Sequence, residues 1–218
     1  RLLDRLNEPD LKRFDDLAAL AAGVAWEQSF ATREEPHRLA LVAKNVADLR
    51  VLLAKVVERL KAGEEVNDPC GIYYSAATPI DPASVCFLYP GQGAQSVDML
   101  RELVVSNRWS RQIFQAVDLA LQERLGAALS RLIYPPPAFT DPERDHQRDL
   151  LSQTQVAQPA LGVVELFATE LLNRHGVVPA AVAGHSYGEY VALCTAGVIS
   201  REALIQISGE RGRIAAAA

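Results

Sequence analysis

The stretch that most constrains this chain is Gly184-His185-Ser186-Tyr187-Gly188-Glu189. Ahead of it, residues 177–183 form a short, mostly apolar run that reads as a buried strand. Behind it, Tyr190, Val191, Leu193 and Cys194 open a helical pattern. A strand, a sharp turn with a central serine, and a helix together make a nucleophile elbow. Glycine is needed on both sides, because side chains would clash in so tight a turn. The turn lifts the Ser186 hydroxyl clear of the sheet and aims the helix N-terminus at it. The backbone N–H of Tyr187 can then stabilise an oxyanion. The bare G-x-S-x-G pattern also arises by chance as an ordinary strand-to-helix turn; the strand and helix around it give it meaning.

A serine hydroxyl is a weak nucleophile without a base. The chain has four histidines. His185 adjoins the serine, and neighbouring side chains on such a turn diverge. His37 starts a strand far upstream, His146 lies in a charged, proline-flanked loop, and His175 ends a helix before Gly176. None is a convincing partner, and elbow enzymes usually place the histidine after the serine. The sequence closes on Ala215-Ala216-Ala217-Ala218 inside a helical pattern. The expectation is therefore a fragment of a longer catalytic unit, with the base beyond Ala218.

At 218 residues there is room for one or two domains. A content of 49% hydrophobic and 22% charged residues is that of an ordinary globular chain. The net charge of -5 gives no reason to expect nucleic acid or an anionic membrane surface. No apolar run approaches the ~18 residues of a membrane span. The first residues have neither a signal-peptide layout nor an initiator methionine. Cys70, Cys86 and Cys194 are an odd set without metal-ligand spacing, two of them in apolar segments. Reduced, buried thiols in a cytoplasmic setting are the expectation.

Taken in order, residues 8–26 read as an amphipathic helix, with Pro9 near its start and Leu11, Phe14, Leu17, Leu20 and Val24 at helical spacing. Residues 37–44 read as a strand. Asn45 caps a helix carrying Leu49, Leu52, Val56 and Leu60 on one face and ending at Gly63. Residues 71–76 are another short strand. Together they make a small α/β unit in which no charged constellation converges, and residues 78–84, with Pro79 and Pro82, lead out of it.

A second domain is expected from Ser84. Val85-Cys86-Phe87-Leu88-Tyr89 is apolar throughout, as in a central parallel strand covered on both faces. It runs into Pro90-Gly91-Gln92-Gly93-Ala94-Gln95, and a helix carrying Val97, Leu100, Leu103 and Val104 follows. A dinucleotide loop would need a third glycine where Ser96 stands. A loop offering backbone N–H groups to the Ser186 site is the better reading. Farther on, residues 110–133 read as helical, Pro135-Pro136-Pro137 breaks them, and a charged surface loop runs to Asp149. Residues 152–159 open a helix with Pro159 in its first turn. Gly197 to Ser200 turns the chain into a last helix, where Leu204, Ile207, Arg211 and Ile214 or Ala215 share a face.

Tyr89-Pro90-Gly91-Gln92-Gly93-Ala94-Gln95 followed by Gly184-His185-Ser186-Tyr187-Gly188-Glu189 resembles the acyltransferase domain of modular type I polyketide synthases, within the wider malonyl-CoA:acyl carrier protein transacylase family. Residues 85–214 carry the likeness. Residues 1–83 look like the ketosynthase-to-acyltransferase linker domain, leaving 84–218 as the N-terminal part of an acyltransferase domain. The resemblance implies an α/β fold, with a parallel-sheet, hydrolase-like core after a small α/β linker domain. It implies ping-pong transfer of a malonyl extender from coenzyme A, through an acyl-enzyme on Ser186, to the phosphopantetheine thiol of an acyl carrier protein. The neighbouring ketosynthase would be a further partner, with no cofactor bound by the domain itself.

The same resemblance assigns Gln92 and Tyr187 to the oxyanion hole through their backbone N–H groups. It assigns Arg211, Gln158 and His185 to substrate binding. From the residues alone, Gln158 reads equally as a polar cap. Arg211 on an apolar stripe must find an anion or reach water. It either snorkels, pairs with a residue such as Glu189, or clamps a substrate carboxylate in bidentate fashion. Tyr187 and residues 153–158 resemble the malonyl-selecting branch. A serine esterase would share the elbow but has no need of Arg211, and a non-catalytic docking domain would have no need of the serine.

Overall fold

The computed structural model describes residues 16–28, 37–77 and 84–216. The chain divides into two compact units, residues 1–80 and 81–218. The expected residues 8–15 of the first helix and 78–83 of the connecting segment lie outside the described residues.

In the first unit, helix α1 (Leu17–Gln28) is followed by β1 (Arg38–Leu41), α2 (Val46–Lys61), β2 (Val66–Asp68) and β3 (Ile72–Ser75). The strands form an antiparallel sheet in the order β1-β3-β2. Asn45 caps α2 by accepting the Asp48 N–H at 2.8 Å, and Gly63, at φ +73°, takes the left-handed step that ends it. Leu52 and Val56 of α2 pack on Val66 and Ile72 of the sheet. The sequence reading lacked β2, which is only three residues long and has one apolar side chain to announce it.

In the second unit, β4 (Cys86–Tyr89) and β5 (Ala181–Gly184) pair in parallel, Cys86 opposite Ala181 and Tyr89 opposite Gly184. Between them come α3 (Arg101–Ser106), α4 (Ser110–Leu125), α5 (Leu129–Ile133), α6 (Asp141–Ser152) and α7 (Thr154–Arg174); α8 (Gly188–Thr195) and α9 (Arg201–Ala216) follow β5. Two apolar clusters meet on α7. One joins Phe114, Val117, Leu121 and Ile133 to Val163 and Phe167. The other joins Leu161 and Leu166 to Tyr89, Tyr187, Val191 and Leu204.

Several expectations need correction. The strands are not covered on both faces: Phe87 and Val182 pack inward, while Cys86 and Leu88 (75% exposed) point out. Among the described residues, helices clothe one side of the pair only. The thiols are free but not all buried; Cys70 and Cys86 are exposed and Cys194 is half-buried. The strand before the elbow begins at Ala181 rather than at residue 177. Gly176 and Val177 are still closing α7 by donating to Asn173 and Leu172, and Pro179 has no N–H to pair.

Residues 97–100 are turns, with Asp98 and Leu100 at positive φ, so helix starts only at Arg101. Gly126, at φ +70°, splits the expected helix over 110–133. The charged stretch before Asp149 is largely helix α6 and carries the exposed His146. Its start is a capping box: Glu143 accepts from the Thr140 N–H while Thr140 Oγ1 accepts from the Glu143 N–H. Thr140-Asp141-Pro142-Glu143 carried that signature in plain sequence. Helix α7 begins at Thr154, which places Pro159 in its second turn, where it cannot donate to the Gln155 carbonyl.

The buried stripe of α9 is Leu204, Ser208, Gly209 and Gly212 rather than Leu204, Ile207, Arg211 and Ile214, and Ile214 is exposed. Small residues there let α9 lie close on α7. A Cβ at Gly212 would come within 2.7 Å of the Gln155 Cα; one at Gly209 would meet only side-chain ends on α4, Leu121 at 2.9 Å and Arg124 at 3.4 Å. Backbone cannot yield as a methyl group can. Gly212→Ala is therefore expected to destabilise the protein by about 1–3 kcal/mol in urea denaturation. Gly209→Ala should stay near neutral, since the gain in helix propensity offsets a small rotation of Leu121. A near-neutral Gly212→Ala would show that the α7–α9 contact is looser than described.

Candidate active site

Ser186 sits at φ +54°, a left-handed conformation that costs a non-glycine residue of the order of 1–3 kcal/mol. The turn is held by its own backbone. His185 donates to the Tyr89 carbonyl at 3.0 Å, Gly188 to His185 at 2.9 Å and Tyr190 to Tyr187 at 3.0 Å. The two elbow glycines are sterically obligatory. A Cβ on Gly184 would lie 2.2 Å from the Gly188 carbonyl carbon, and one on Gly188 would lie 2.3 Å from the Tyr89 oxygen.

The loop after β4 closes on this turn. A Cβ at Gly91 would stand 2.6 Å from the His185 oxygen and 3.0 Å from the Ser186 Cβ. The next residue is Gln92. Among the described residues, the backbone N–H groups of Gln92 and Tyr187 have no acceptor, whereas Gly93, Ala94, Gly188 and Glu189 all donate within the protein. Two unspent donors thus flank an exposed serine whose hydroxyl has no partner among the described residues.

The other candidates reach this region through a chain of contacts. Gln158, 2% exposed on α7, donates from Nε2 to Gln92 Oε1 at 3.3 Å, and Gln92 Nε2 donates to Thr154 Oγ1 at 3.1 Å. Thr154 and Gln155 are also the residues that α9 meets at Gly212, beside Arg211. Arg211 is half-buried, with its Cζ 5.5 Å from the centroid of the Tyr190 ring on the elbow helix. It has no ion pair among the described residues, and Glu189 is exposed without one. His185 is exposed beside Gly91.

The remaining histidines are engaged or remote. His175 Nδ1 is 2.7 Å from the Leu171 carbonyl, and His37 Nδ1 is 2.7 Å from the Tyr74 hydroxyl within the first unit. No histidine reaches the Ser186 hydroxyl among the described residues. Among them also, no cluster of three or more His, Cys, Asp or Glu side chains could hold a metal, and no helix is long and apolar enough to cross a membrane.

The Tyr187 side chain turns away from the turn's open side. It is fully buried, with its hydroxyl 2.5 Å from Ser208 Oγ on α9. Ser208 passes a hydrogen bond to the Leu204 carbonyl at 2.6 Å. Gly162 makes room for the ring, since a Cβ there would fall 2.2 Å from the Tyr187 oxygen. Burial pushes the phenol well above its usual range. Tyr187 therefore meets the serine through its backbone, while its ring bolts the elbow to α7 and α9. Sequence reasoning missed Gly162 and Ser208, whose roles come from pairings across long separations that no local pattern encodes.

Glu165 was also missed. It lies on α7 below the elbow, 8% exposed, and neither carboxyl oxygen has a hydrogen-bond partner among the described residues. Burial raises its pKa to about 8. The unfolded chain would ionise it near 4.5. A raised folded value means that stability is full below the unfolded pKa and is lost as pH climbs toward 8. Urea denaturation should show stability falling between pH 5 and 8 by up to about 1.4 kcal/mol per unit on account of this group. Glu165→Gln should flatten that slope, and an identical slope in the variant would mean that Glu165 is ionised when folded.

A parallel strand pair ending in a strained serine elbow, backed by helices, is a hydrolase-like α/β architecture. Residues 86–218 match the model of the acyl transferase domain family. The chain belongs to that family and is an acyltransferase domain. It is 30% identical over 214 residues to erythronolide synthase EryA2 of Saccharopolyspora erythraea, spanning 98% of this chain but 5% of that protein. Among solved structures, the malonyl CoA-acyl carrier protein transacylase of Coxiella burnetii aligns with a TM-score of 0.50 at 32% identity, over 62% of this chain and 39% of that one. The acyl transferase domain of ZmaA shares the fold at a TM-score of 0.60 and 21% identity, over 86% of this chain and 50% of that one.

Proposed function

We propose that this domain moves a malonyl group from coenzyme A to an acyl carrier protein, within a polyketide synthase. The Ser186 oxygen attacks the thioester carbonyl as its proton passes to a base, and the charge that develops on the carbonyl oxygen is met by the free N–H groups of Gln92 and Tyr187. Collapse breaks the carbon–sulfur bond, releases coenzyme A as the thiol and leaves a malonyl ester on Ser186. The phosphopantetheine thiol of the carrier protein then attacks the ester, and the serine regains its proton. No described histidine can serve as the base, so in this reading it comes from outside these 218 residues. Residues 1–83 would link the domain to a ketosynthase of the same polypeptide.

The observation that carries the malonyl assignment is Arg211, a half-buried guanidinium without an anionic partner among the described residues. A cation so placed favours an acyl group ending in a carboxylate, because a substrate lacking one leaves the charge unpaired. Gln158 and His185 complete the substrate side, the first by steadying Gln92. Malonyl and acetyl transfer should be compared in the full-length protein and its Arg211→Ala variant. Malonyl transfer is expected to fall by a factor of about 30 to 1000, while acetyl transfer holds or rises. An unchanged malonyl-to-acetyl ratio would return Arg211 to a structural role, and release of acyl groups to water rather than to thiol would indicate an esterase.

A further inference from the structure

We infer that Tyr190 is a positioning residue for the substrate carboxylate, holding the Arg211 guanidinium in place over its ring without neutralising it. The inference rests on the reading of Arg211 as the carboxylate clamp. Tyr190 lies in the first turn of α8, four residues after Ser186, so the turn that presents the nucleophile also fixes this ring. Arg211 Cζ stands 5.5 Å from its centroid, within the range of a cation–π contact.

None of the carboxylates on α7, α8 and α9 pairs with Arg211 among the described residues. Glu210, its neighbour, takes Arg124 at 2.6 Å and Arg213 at 3.1 Å. Glu189 is exposed and has no ion pair among the described residues, and burial keeps Glu165 protonated at neutral pH. An acidic partner in Tyr190's place would hold the guanidinium more firmly. It would also occupy the N–H fork that a substrate carboxylate needs. An aromatic face attracts the cation from above its plane and leaves the in-plane donors free.

The ring is itself anchored. Its centroid is 6.2 Å from that of Tyr187, tilted by 31°, and Tyr187 is tied to α9 by Ser208. Arg211 therefore keeps its place relative to Ser186 through two rings borne on the elbow itself. A leucine at position 190 would leave α8 in place but remove the attraction.

The test compares steady-state kinetics of the full-length protein and its variants with malonyl-CoA and acetyl-CoA. Tyr190→Leu is expected to raise KM for malonyl-CoA about 2- to 30-fold with little change in kcat. Acetyl transfer should be unaffected and serves as the control for folding. Tyr190→Phe, which keeps the ring, should behave as the wild type. In an Arg211→Ala background, Tyr190→Leu should add nothing. Malonyl and acetyl transfer falling together, a Phe variant as impaired as Leu, or an additive loss without Arg211 would each overturn the inference. If Arg211→Ala leaves the malonyl-to-acetyl ratio unchanged, this inference and the malonyl reading fall together. If that ratio changes but Tyr190→Leu matches the wild type, only this inference falls.

Discussion

Everything at this site depends on how closely three pieces of backbone approach one another. The carbonyl of Tyr89, the start of α8 at Gly188 and the loop glycine Gly91 crowd into a space that admits no side chain. That crowding over-determines the turn, which is why Ser186 can be held at positive φ. It also fixes what surrounds the hydroxyl, because Gly91 brings Gln92 alongside while Gly188 starts the helix. The free N–H groups of Gln92 and Tyr187 lie beside that crowded turn, and Tyr187's is free because the first donors of a helix have no intrahelical acceptor.

A second level of support comes from α7. This helix carries Gln158 to the loop glutamine, clears a space at Gly162 for the Tyr187 ring, and bears Thr169, whose hydroxyl meets Tyr89 at 2.8 Å. Its buried polar residues lie in a seam that also holds Leu161 and Leu166 against Tyr187, while Val163 and Phe167 face α4 and α5. Helix α9 reaches the same seam through Ser208 and Gly212, which sets Arg211 at its edge. Arg211 is thus a cation at the rim of the core, where an anion would be strongly favoured and solvent only partly satisfies it.

Much of this was legible in the amino-acid sequence, for physical reasons. The elbow was readable because a tight strand-to-helix turn tolerates so few residues, and the glycines at 184 and 188 are there for that steric reason. The cap at Asn45 was readable because a single side chain satisfies it locally. Burial was misjudged wherever it depended on remote packing. An apolar run such as residues 85–89 reads the same whether one face or both are covered, and Leu88 proved exposed. The stripe of α9 was misread because its buried members, Ser208, Gly209 and Gly212, are small rather than apolar; close helix contact selects for size. Nothing local marks Tyr190 and Arg211 as partners across two helices.

The central claim is that Ser186 carries the acyl group, and intact-protein mass spectrometry tests it directly. The full-length protein, mixed with malonyl-CoA and quenched before the carrier protein is added, should gain the mass of one malonyl group, mapped by peptide fragmentation to Ser186. The adduct should be absent from Ser186→Ala. A malonyl adduct that persists on the alanine variant, or that maps to another residue, would contradict the account.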